Sequence, residues 1–209
     1  MSTRKKRLTA AERRAQLMQV GRTVFAETGF ESASLEVIAQ RAGVTKPIIY
    51  EHFGSKEGLH AAIVEREMDA LVTRVSEAMS EGSARARFEG AVVEFMTYAS
   101  EQPAGFAVLT RETPTPARPG MTRVIDQLTE RVGAVFSREL ARAGYDRKLA
   151  PIYATALLGM VTQVGRWWAV EGRRVSRDQV VRHVAALGWM GLRHLPKTPA
   201  KVLERKQRS

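Results

Sequence analysis

The sequence contains no cysteine among its 209 residues. This absence excludes disulfide scaffolds, thiolate zinc sites, cysteine nucleophiles and thiol-based redox switches, and it suits a reducing cytosol. No apolar run approaches the ~20 residues that a membrane-spanning helix needs. The basic N-terminus is followed by polar sequence where a secretory signal would carry an apolar segment. We therefore expect a cytoplasmic protein that has no membrane partner.

The motifs of common enzymes are also missing. There is no glycine-rich phosphate-binding loop and no Gly-x-Ser-x-Gly nucleophile motif. His183 and His194 have neither the spacing of metal ligands nor a neighbouring cluster of paired acids. We therefore expect no enzymatic activity, no bound metal and no cofactor.

Positive charge is concentrated at the two ends of the chain. The formal net charge is +11, with 33 basic against 22 acidic residues. Residues 1–60 carry +4 and residues 193–209 carry +5, whereas residues 61–192 carry only +2. Basic ends favour a polyanionic partner, of which nucleic acid is the commonest. For the tail after Leu195, a charged terminus without a partner is an equal alternative.

Apolar residues recur at helical spacing along the chain, and strand-like alternation is almost absent. Two capping boxes, Thr9 with Glu12 and Ser176 with Gln179, mark helix starts. Gly29 is predicted to end the first helix, and three prolines predict a loop over residues 113–120. Since 44% of the residues are hydrophobic, the chain can bury a core. The sequence predicts an all-α protein of about nine helices.

Residues 34–53 have the pattern of a helix-turn-helix, in which a tight turn joins two short helices. Ser34 can cap the first helix, and Gly43 suits the turn that follows it. Thr45 can cap the second helix, whose first turn tolerates Pro47 because an N–H is not needed there. This second helix is the predicted recognition helix, the element that enters the major groove of DNA.

The predicted recognition helix has two different faces. Ile49 and Phe53 fall on one side and are expected in the core. The other side offers an apolar group, hydroxyls and the Lys46 ammonium to thymine methyl groups and phosphates. Before the first helix, residues 4–7 (RKKR) can follow the DNA backbone or enter the minor groove.

Three strings closely resemble the TetR family of transcriptional regulators: residues 24–30 (VFAETGF), 38–53 (IAQRAGVTKPIIYEHF) and 55–59 (SKEGL). The resemblance covers about residues 11–65 without a gap. It implies a homodimer that binds a palindromic operator in double-stranded DNA. By this resemblance the DNA-contacting residues are Ser34, Leu35, Thr45, Lys46, Pro47, Ile48, Tyr50 and His52, with Lys56 on a phosphate.

Three side chains near this motif have alternative interpretations. Glu51 stands where members of the family often carry an aromatic residue, and it either accepts from a cytosine amino group or points away. Tyr50 is either a packed aromatic or a DNA contact, and the resemblance favours DNA. His60 is expected to be an ordinary surface histidine.

The resemblance also implies the domain organisation. Residues 1–9 are expected to be a flexible basic arm and residues 10–57 the helix-turn-helix DNA-binding domain. Residues 58–195 would form a helical domain for ligand binding and dimerisation, with the last two long helices at the dimer contact. Residues 196–209 are expected to be a disordered basic tail.

A ligand pocket is expected among the apolar residues of the middle helices, although plain core packing is the alternative for each of them. Few charges interrupt this set, which predicts a long or bulky hydrophobic effector. The candidate residues are Phe88, Phe95, Met96, Phe106, Leu109, Leu128, Phe136, Met160, Val164 and Trp167.

A second, patchier resemblance points to lipids. Residues 103–106 (PAGF), 159–160 (GM), 166–168 (RWW) and 188–192 (GWMGL) look like the regulators of fatty-acid synthesis within this family, which sense long-chain acyl-CoA. Arg166 would then meet an acyl carbonyl or a phosphate, or else anchor a carboxylate at the dimer contact.

The sequence therefore predicts a ligand-responsive TetR-like repressor, with a lipid such as long-chain acyl-CoA as its effector. One alternative is a drug-responsive repressor of an efflux pump. Another is a non-specific basic nucleic-acid-binding protein, which would show a steep salt dependence and little base preference.

Overall fold

The computed structural model describes residues 8–111, 120–142, 144, 146–172 and 174–194. Within this part of the chain there are nine α-helices, one 3-10 helix and no strand, which confirms the predicted all-α fold. The 3-10 helix, Arg147–Leu149, directly precedes α8. The helices are α1 (Ala10–Ser32), α2 (Leu35–Ala42), α3 (Lys46–Phe53), α4 (Lys56–Ala78), α5 (Ala84–Glu101), α6 (Pro103–Thr110), α7 (Gly120–Arg142), α8 (Ala150–Val170) and α9 (Arg177–Arg193).

Several predicted segments lie outside the described residues. They are residues 1–7 of the predicted basic arm, residues 113–119 of the predicted loop, and the predicted tail 196–209. Gly120, the last residue of the predicted loop, instead begins α7. In the part of the chain that the structure describes, no helix has both the length and the apolar character needed to cross a membrane.

Helix α1 begins with the predicted capping box. The Thr9 hydroxyl accepts from the Glu12 N–H at 3.2 Å, and Glu12 Oε2 accepts from the Thr9 N–H at 2.8 Å. These bonds satisfy backbone donors that the first turn leaves unpaired. Gly29 has a φ of 79°, as a helix-ending glycine would, but the helix resumes and ends at Ser32. The predicted end at Gly29 therefore coincides with a break in the helix, and only a short continuation to Ser32 follows it.

The described helices form two compact units. The first lies within Met1–Leu71 and Glu101–Val124, and the second within Val72–Ser100 and Ile125–Ser209. Helices α4 and α7 each contribute to both units. The predicted domain boundary at residues 57 and 58 stays a prediction.

In the first unit, α1 and α4 meet at Gly21. A Cβ at this position would lie 3.0 Å from Ile63 Cδ1 and 3.2 Å from Leu59 Cδ2, so a larger residue would push the helices apart. Helix α6 packs against α1 in the same unit. Helices α1, α2, α3, α4 and α6 each contribute a side chain with no exposed surface to this core: Leu17, Ile38, Ile49, Leu59 and Leu109.

An ionic network links three segments of the first unit. Arg22 Nη1 of α1 donates to Glu67 Oε2 of α4 at 3.2 Å and to Gln102 Oε1, just before α6, at 3.1 Å. The exposed fraction of the side chain is 16% for Arg22 and 5% for Glu67. Each charge of so deeply buried a pair needs the other, because an unpaired charge destabilises the folded state far more when it is buried than when it is exposed.

In the second unit, α5 comes close to both α8 and α9 at a glycine. A Cβ on Gly165 of α8 would lie 2.6 Å from Phe95 Cε1 of α5. A Cβ on Gly188 of α9 would lie 2.4 Å from Phe88 Cζ, also of α5. The aromatic rings of α5 therefore occupy the space that glycine leaves on α8 and α9.

Candidate nucleic-acid interface

The helix-turn-helix begins at Ser34, whose hydroxyl accepts from the Glu36 N–H at 3.1 Å and so caps α2. Gly43 ends that helix in the left-handed conformation, with φ 65° and ψ 37°. The Val44 N–H then donates to the Ala39 carbonyl at 3.0 Å and closes the turn. The local capping pattern thus sets where α3 begins.

Helix α3 presents one face to the core and another to solvent. Ile49 has no exposed surface, whereas 44% of Tyr50 is exposed. Thr45 stands at the N-cap position, yet its hydroxyl makes no capping hydrogen bond. The six predicted DNA-contacting residues of α3 and its cap are all at least partly exposed: Thr45, Lys46, Pro47, Ile48, Tyr50 and His52.

The start of α2 is only partly as predicted. Ser34 is half-buried and lies at the helix cap, where backbone N–H groups are available to a phosphate. The Leu35 side chain is 5% exposed and belongs to the core. A DNA contact of Leu35 would therefore be made through its backbone, and this contact stays a prediction.

Lys46 does not project freely into solvent. Its ammonium forms an ion pair with Glu36 Oε1 of α2 and lies 5.8 Å from the centroid of the Tyr50 ring. Hydrogen bonds from Lys46 and Ser34 lower the pKa of Glu36 to about 2. Glu36 could not be identified from the sequence, because an acidic residue in a first helical turn is a common feature that does not identify a partner.

Lys56 contacts the end of α1. Its Nζ donates to the Glu31 and Ala33 carbonyls, both at 3.1 Å, and lies 4.6 Å from the centroid of the Phe30 ring. An ammonium has three N–H donors, so one remains for the phosphate contact that the sequence predicts.

The prediction that His60 is an ordinary surface histidine is wrong, because the residue is buried. Only 8% of it is exposed, and its ring meets Phe25 and Phe30 at centroid distances of 4.9 Å and 5.0 Å. Burial, and to a smaller degree the charge of Lys56, lowers the pKa of His60 to about 4. His60 follows the fully buried Leu59 in α4, and the rings of Phe25 and Phe30 in α1 cover its imidazole.

The predicted effector-lining residues of the second unit differ in their surroundings. Phe95, Met96 and Leu128 are buried, and Phe95 and Met96 meet at Gly165 of α8. Phe88, Met160 and Val164 are half-buried, whereas 45% of Trp167 is exposed.

The remaining effector candidates lie elsewhere. Phe106 and Leu109 are buried in α6 of the first unit. The side chain of Phe136 lies outside the described part of the structure. An effector site formed by these residues stays a prediction.

A cavity of about 330 Å³ lies in the second unit, between α7 and the start of α8. Thr129 and Ser137 of α7 line it, as do Arg147 and Lys148 from the 3-10 helix. None of the predicted effector-lining residues is among those that surround it.

Helices α8 and α9 carry large apolar side chains on their surface. Their exposed fractions lie between 45% and 78% in the single chain. They are Ile152, Trp167 and Val170 on α8, and Leu187 and Met190 on α9.

The capped helix, the left-handed glycine turn and the half-exposed second helix define a helix-turn-helix DNA-binding protein. Residues 17–63 match the family model described as bacterial regulatory proteins, tetR family. Residues 81–192 match the model described as tetracyclin repressor-like, C-terminal domain. The chain belongs to the TetR family of DNA-binding transcriptional regulators, and it is not an enzyme.

The similarity extends over most of the chain. The transcriptional activator FasR of Mycolicibacterium smegmatis is 31% identical, over 92% of this chain and 88% of its own. A TetR-like regulator from Rhodococcus sp. RHA1 has a TM-score of 0.74 and 26% identity, over 90% of this chain and 100% of its own. The fatty acid degradation regulator FadR from Bacillus halodurans has a TM-score of 0.76 and 20% identity, over 91% of this chain and 100% of its own.

Proposed function

We propose that the protein is a ligand-responsive repressor that binds a palindromic operator in double-stranded DNA as a homodimer. A hydrophobic small molecule, with long-chain acyl-CoA as the first candidate, changes its affinity for that operator. The observation that carries the DNA-binding part is the division of α3, in which Ile49 is buried while Pro47 and Tyr50 are exposed. A helix held in this way can enter the major groove without leaving its own core.

The DNA contacts are tested on a duplex selected from a random pool by the protein itself. Tyr50→Phe and Lys46→Ala should each weaken binding to that duplex, by about 1–3 kcal/mol where a base contact is lost. Lys148→Ala removes an exposed charge from the second unit and is the matched control. Unchanged affinity in both α3 variants, with helix content intact, would contradict this assignment.

The proposed homodimer is supported by operator geometry and by the surface of α8 and α9. Two recognition helices must reach half-sites about one turn of DNA apart, which requires two copies of the chain. A second copy of the chain would cover the large apolar side chains that α8 and α9 expose. We therefore place the second copy against Val170, Leu187 and Met190.

The proposed effector is hydrophobic because the predicted lining residues are apolar. Regulation of fatty acid degradation by a protein of the same fold, FadR, supports a lipid. A long-chain acyl-CoA present at 100 times its Kd should stabilise the protein by about 2.7 kcal/mol in a thermal-shift titration. Stabilisation by a cationic dye alone would instead favour the repressor of an efflux pump.

A bulky substitution tests where the effector binds. Val164→Trp fills space at a half-buried position of α8. It should abolish stabilisation by acyl-CoA while binding of the selected duplex persists. Loss of DNA binding before loss of the ligand response would place the effector site elsewhere.

The direction of regulation needs its own measurement. Repression predicts that a reporter promoter carrying the selected duplex becomes more active when the protein is absent. FasR is named as an activator, so activation is the competing outcome. A reporter that falls in the absence of the protein would establish it.

A further inference from the structure

The ammonium of Lys46 already has an anionic partner within the helix-turn-helix. Glu36 lies in the first turn of α2, and its Oε1 pairs with Lys46 at the start of α3. Its second oxygen, Oε2, accepts from the Ser34 hydroxyl at 2.7 Å. Both carboxylate oxygens are thus engaged, one by each element of the predicted DNA-contacting surface.

This pair is open to solvent and to any ligand that approaches α3. The exposed fraction of the side chain is 40% for Lys46 and 65% for Glu36. A DNA phosphate needs the same ammonium that the Glu36 carboxylate holds. Since a carboxylate and a phosphate repel each other, the Lys46–phosphate contact is formed against Glu36 rather than with its help.

We propose that Glu36 is a positioning residue that acts through Lys46, holding its ammonium at α2 and so opposing its contact with DNA phosphate. This inference rests on the proposed function of α3 as the recognition helix. The Glu36 carboxylate is charged near neutrality, as an ordinary glutamate is, and the hydrogen bonds from Lys46 and Ser34 lower its pKa further. The restraint therefore acts throughout the physiological range.

A charge-neutral variant tests the restraint in the full-length protein. Glu36→Gln keeps the size of the side chain and leaves the Ser34 cap in place. It should raise the affinity for a random-sequence duplex several-fold, measured by fluorescence anisotropy. Because one more phosphate is neutralised, the slope of log K against log salt should steepen by about 0.9.

Glu27→Gln is the matched control. Glu27 pairs with Arg41 at 2.7 Å, and 47% of each side chain is exposed. The substitution changes the net charge by the same amount without releasing Lys46. It should produce a smaller gain in affinity and no change in the salt slope.

A double-variant cycle separates this inference from the proposed function. In a Lys46→Ala background, Glu36→Gln should do no more than Glu27→Gln does. Three outcomes would overturn the inference. They are weaker binding by Glu36→Gln, an effect equal to that of the control, and an effect that persists without Lys46. If Lys46→Ala alone leaves binding to every duplex unchanged, the assignment of α3 fails as well. Normal weakening by Lys46→Ala beside an inert Glu36→Gln would overturn the restraint alone.

Discussion

The imidazole of His60 meets the ring of Phe25 edge-on, with centroids 4.9 Å apart and planes at 89°. The ring of Phe30 stands 5.0 Å away on another side. This apolar setting favours the neutral imidazole, and burial is the larger cause that lowers its pKa from 6.5 to about 4. The positive charge of Lys56 adds to that effect.

The stability of the protein should depend on pH through His60. The unfolded chain takes up the proton near pH 6.5, while the folded protein resists it until about pH 4. The stabilisation that the neutral His60 gives the folded protein is therefore fully present above pH 6.5. It is lost as the pH falls towards 4, by at most about 1.4 kcal/mol per pH unit. Urea unfolding at a series of pH values measures this dependence.

Two histidine variants serve as test and control for that pH dependence. His60→Leu should flatten the slope of unfolding free energy against pH between 6.5 and 4, whatever its effect on absolute stability. His183 is exposed on α9, and His183→Asn should keep the wild-type slope. A slope that survives in His60→Leu would show that another group titrates.

Lys56→Met should affect both the stability of the protein and the pKa of His60. The variant keeps an apolar chain over Phe30 but loses the bonds to the Glu31 and Ala33 carbonyls, at a cost of about 1.5 kcal/mol. It should also raise the pKa of His60, since a neighbouring positive charge is removed. NMR titration of His60 and denaturant unfolding measure these effects, and the exposed Lys148→Met is the control. An unchanged His60 pKa would contradict the proposed coupling.

The helix-turn-helix could be predicted from the sequence because its signals are local. A cap at Ser34, a turn glycine at Gly43 and Pro47 in a first turn each act within a few residues, and the structure places all three as expected. The buried Ile49 follows from helical periodicity alone. Local capping and periodicity therefore suffice to locate α3 and its inner face.

Contacts between distant positions could not be predicted in this way. Glu36 meets Lys46 across the turn, and Arg22 meets Gln102 across 80 residues of chain. His60 looks like a surface histidine until the rings of α1 are packed over it. These relationships depend on how helices pack, which the period of a single helix does not encode.

Arg22→Met should destabilise the protein by about 3 kcal/mol, because it removes the cation that pairs with the buried Glu67 carboxylate. Replacing both partners, as Arg22→Met with Glu67→Gln, should recover part of that loss since no buried charge is then left. Arg85→Met breaks an exposed pair with Glu89 and should cost less than about 1 kcal/mol. Equal effects of Arg22→Met and Arg85→Met in denaturant unfolding would contradict this interpretation.

Gly165→Ala should destabilise the second unit by about 1–3 kcal/mol, because the added methyl group would lie 2.6 Å from Phe95 Cε1. Gly159 lies in the same helix, and a Cβ added there would meet nothing within 4 Å, so Gly159→Ala is the control. Alanine favours helix more than glycine does, and Gly159→Ala should be neutral or stabilising by up to about 1 kcal/mol. Unfolding at one fixed protein concentration gives the comparison, and equal stability of the two variants would mean that α5 and α8 are not in close contact at Gly165.

Leu187→Glu combined with Met190→Glu should convert the proposed homodimer to a monomer. Both side chains are exposed on α9, so the change places two carboxylates at the proposed contact without disturbing the core of the chain. Sedimentation velocity should show the smaller species, and affinity for the palindromic duplex should fall while helix content stays constant. Val93→Glu introduces a single carboxylate at an exposed apolar position of α5 and should remain a dimer. A double variant that still sediments as a dimer would show that the second copy binds elsewhere.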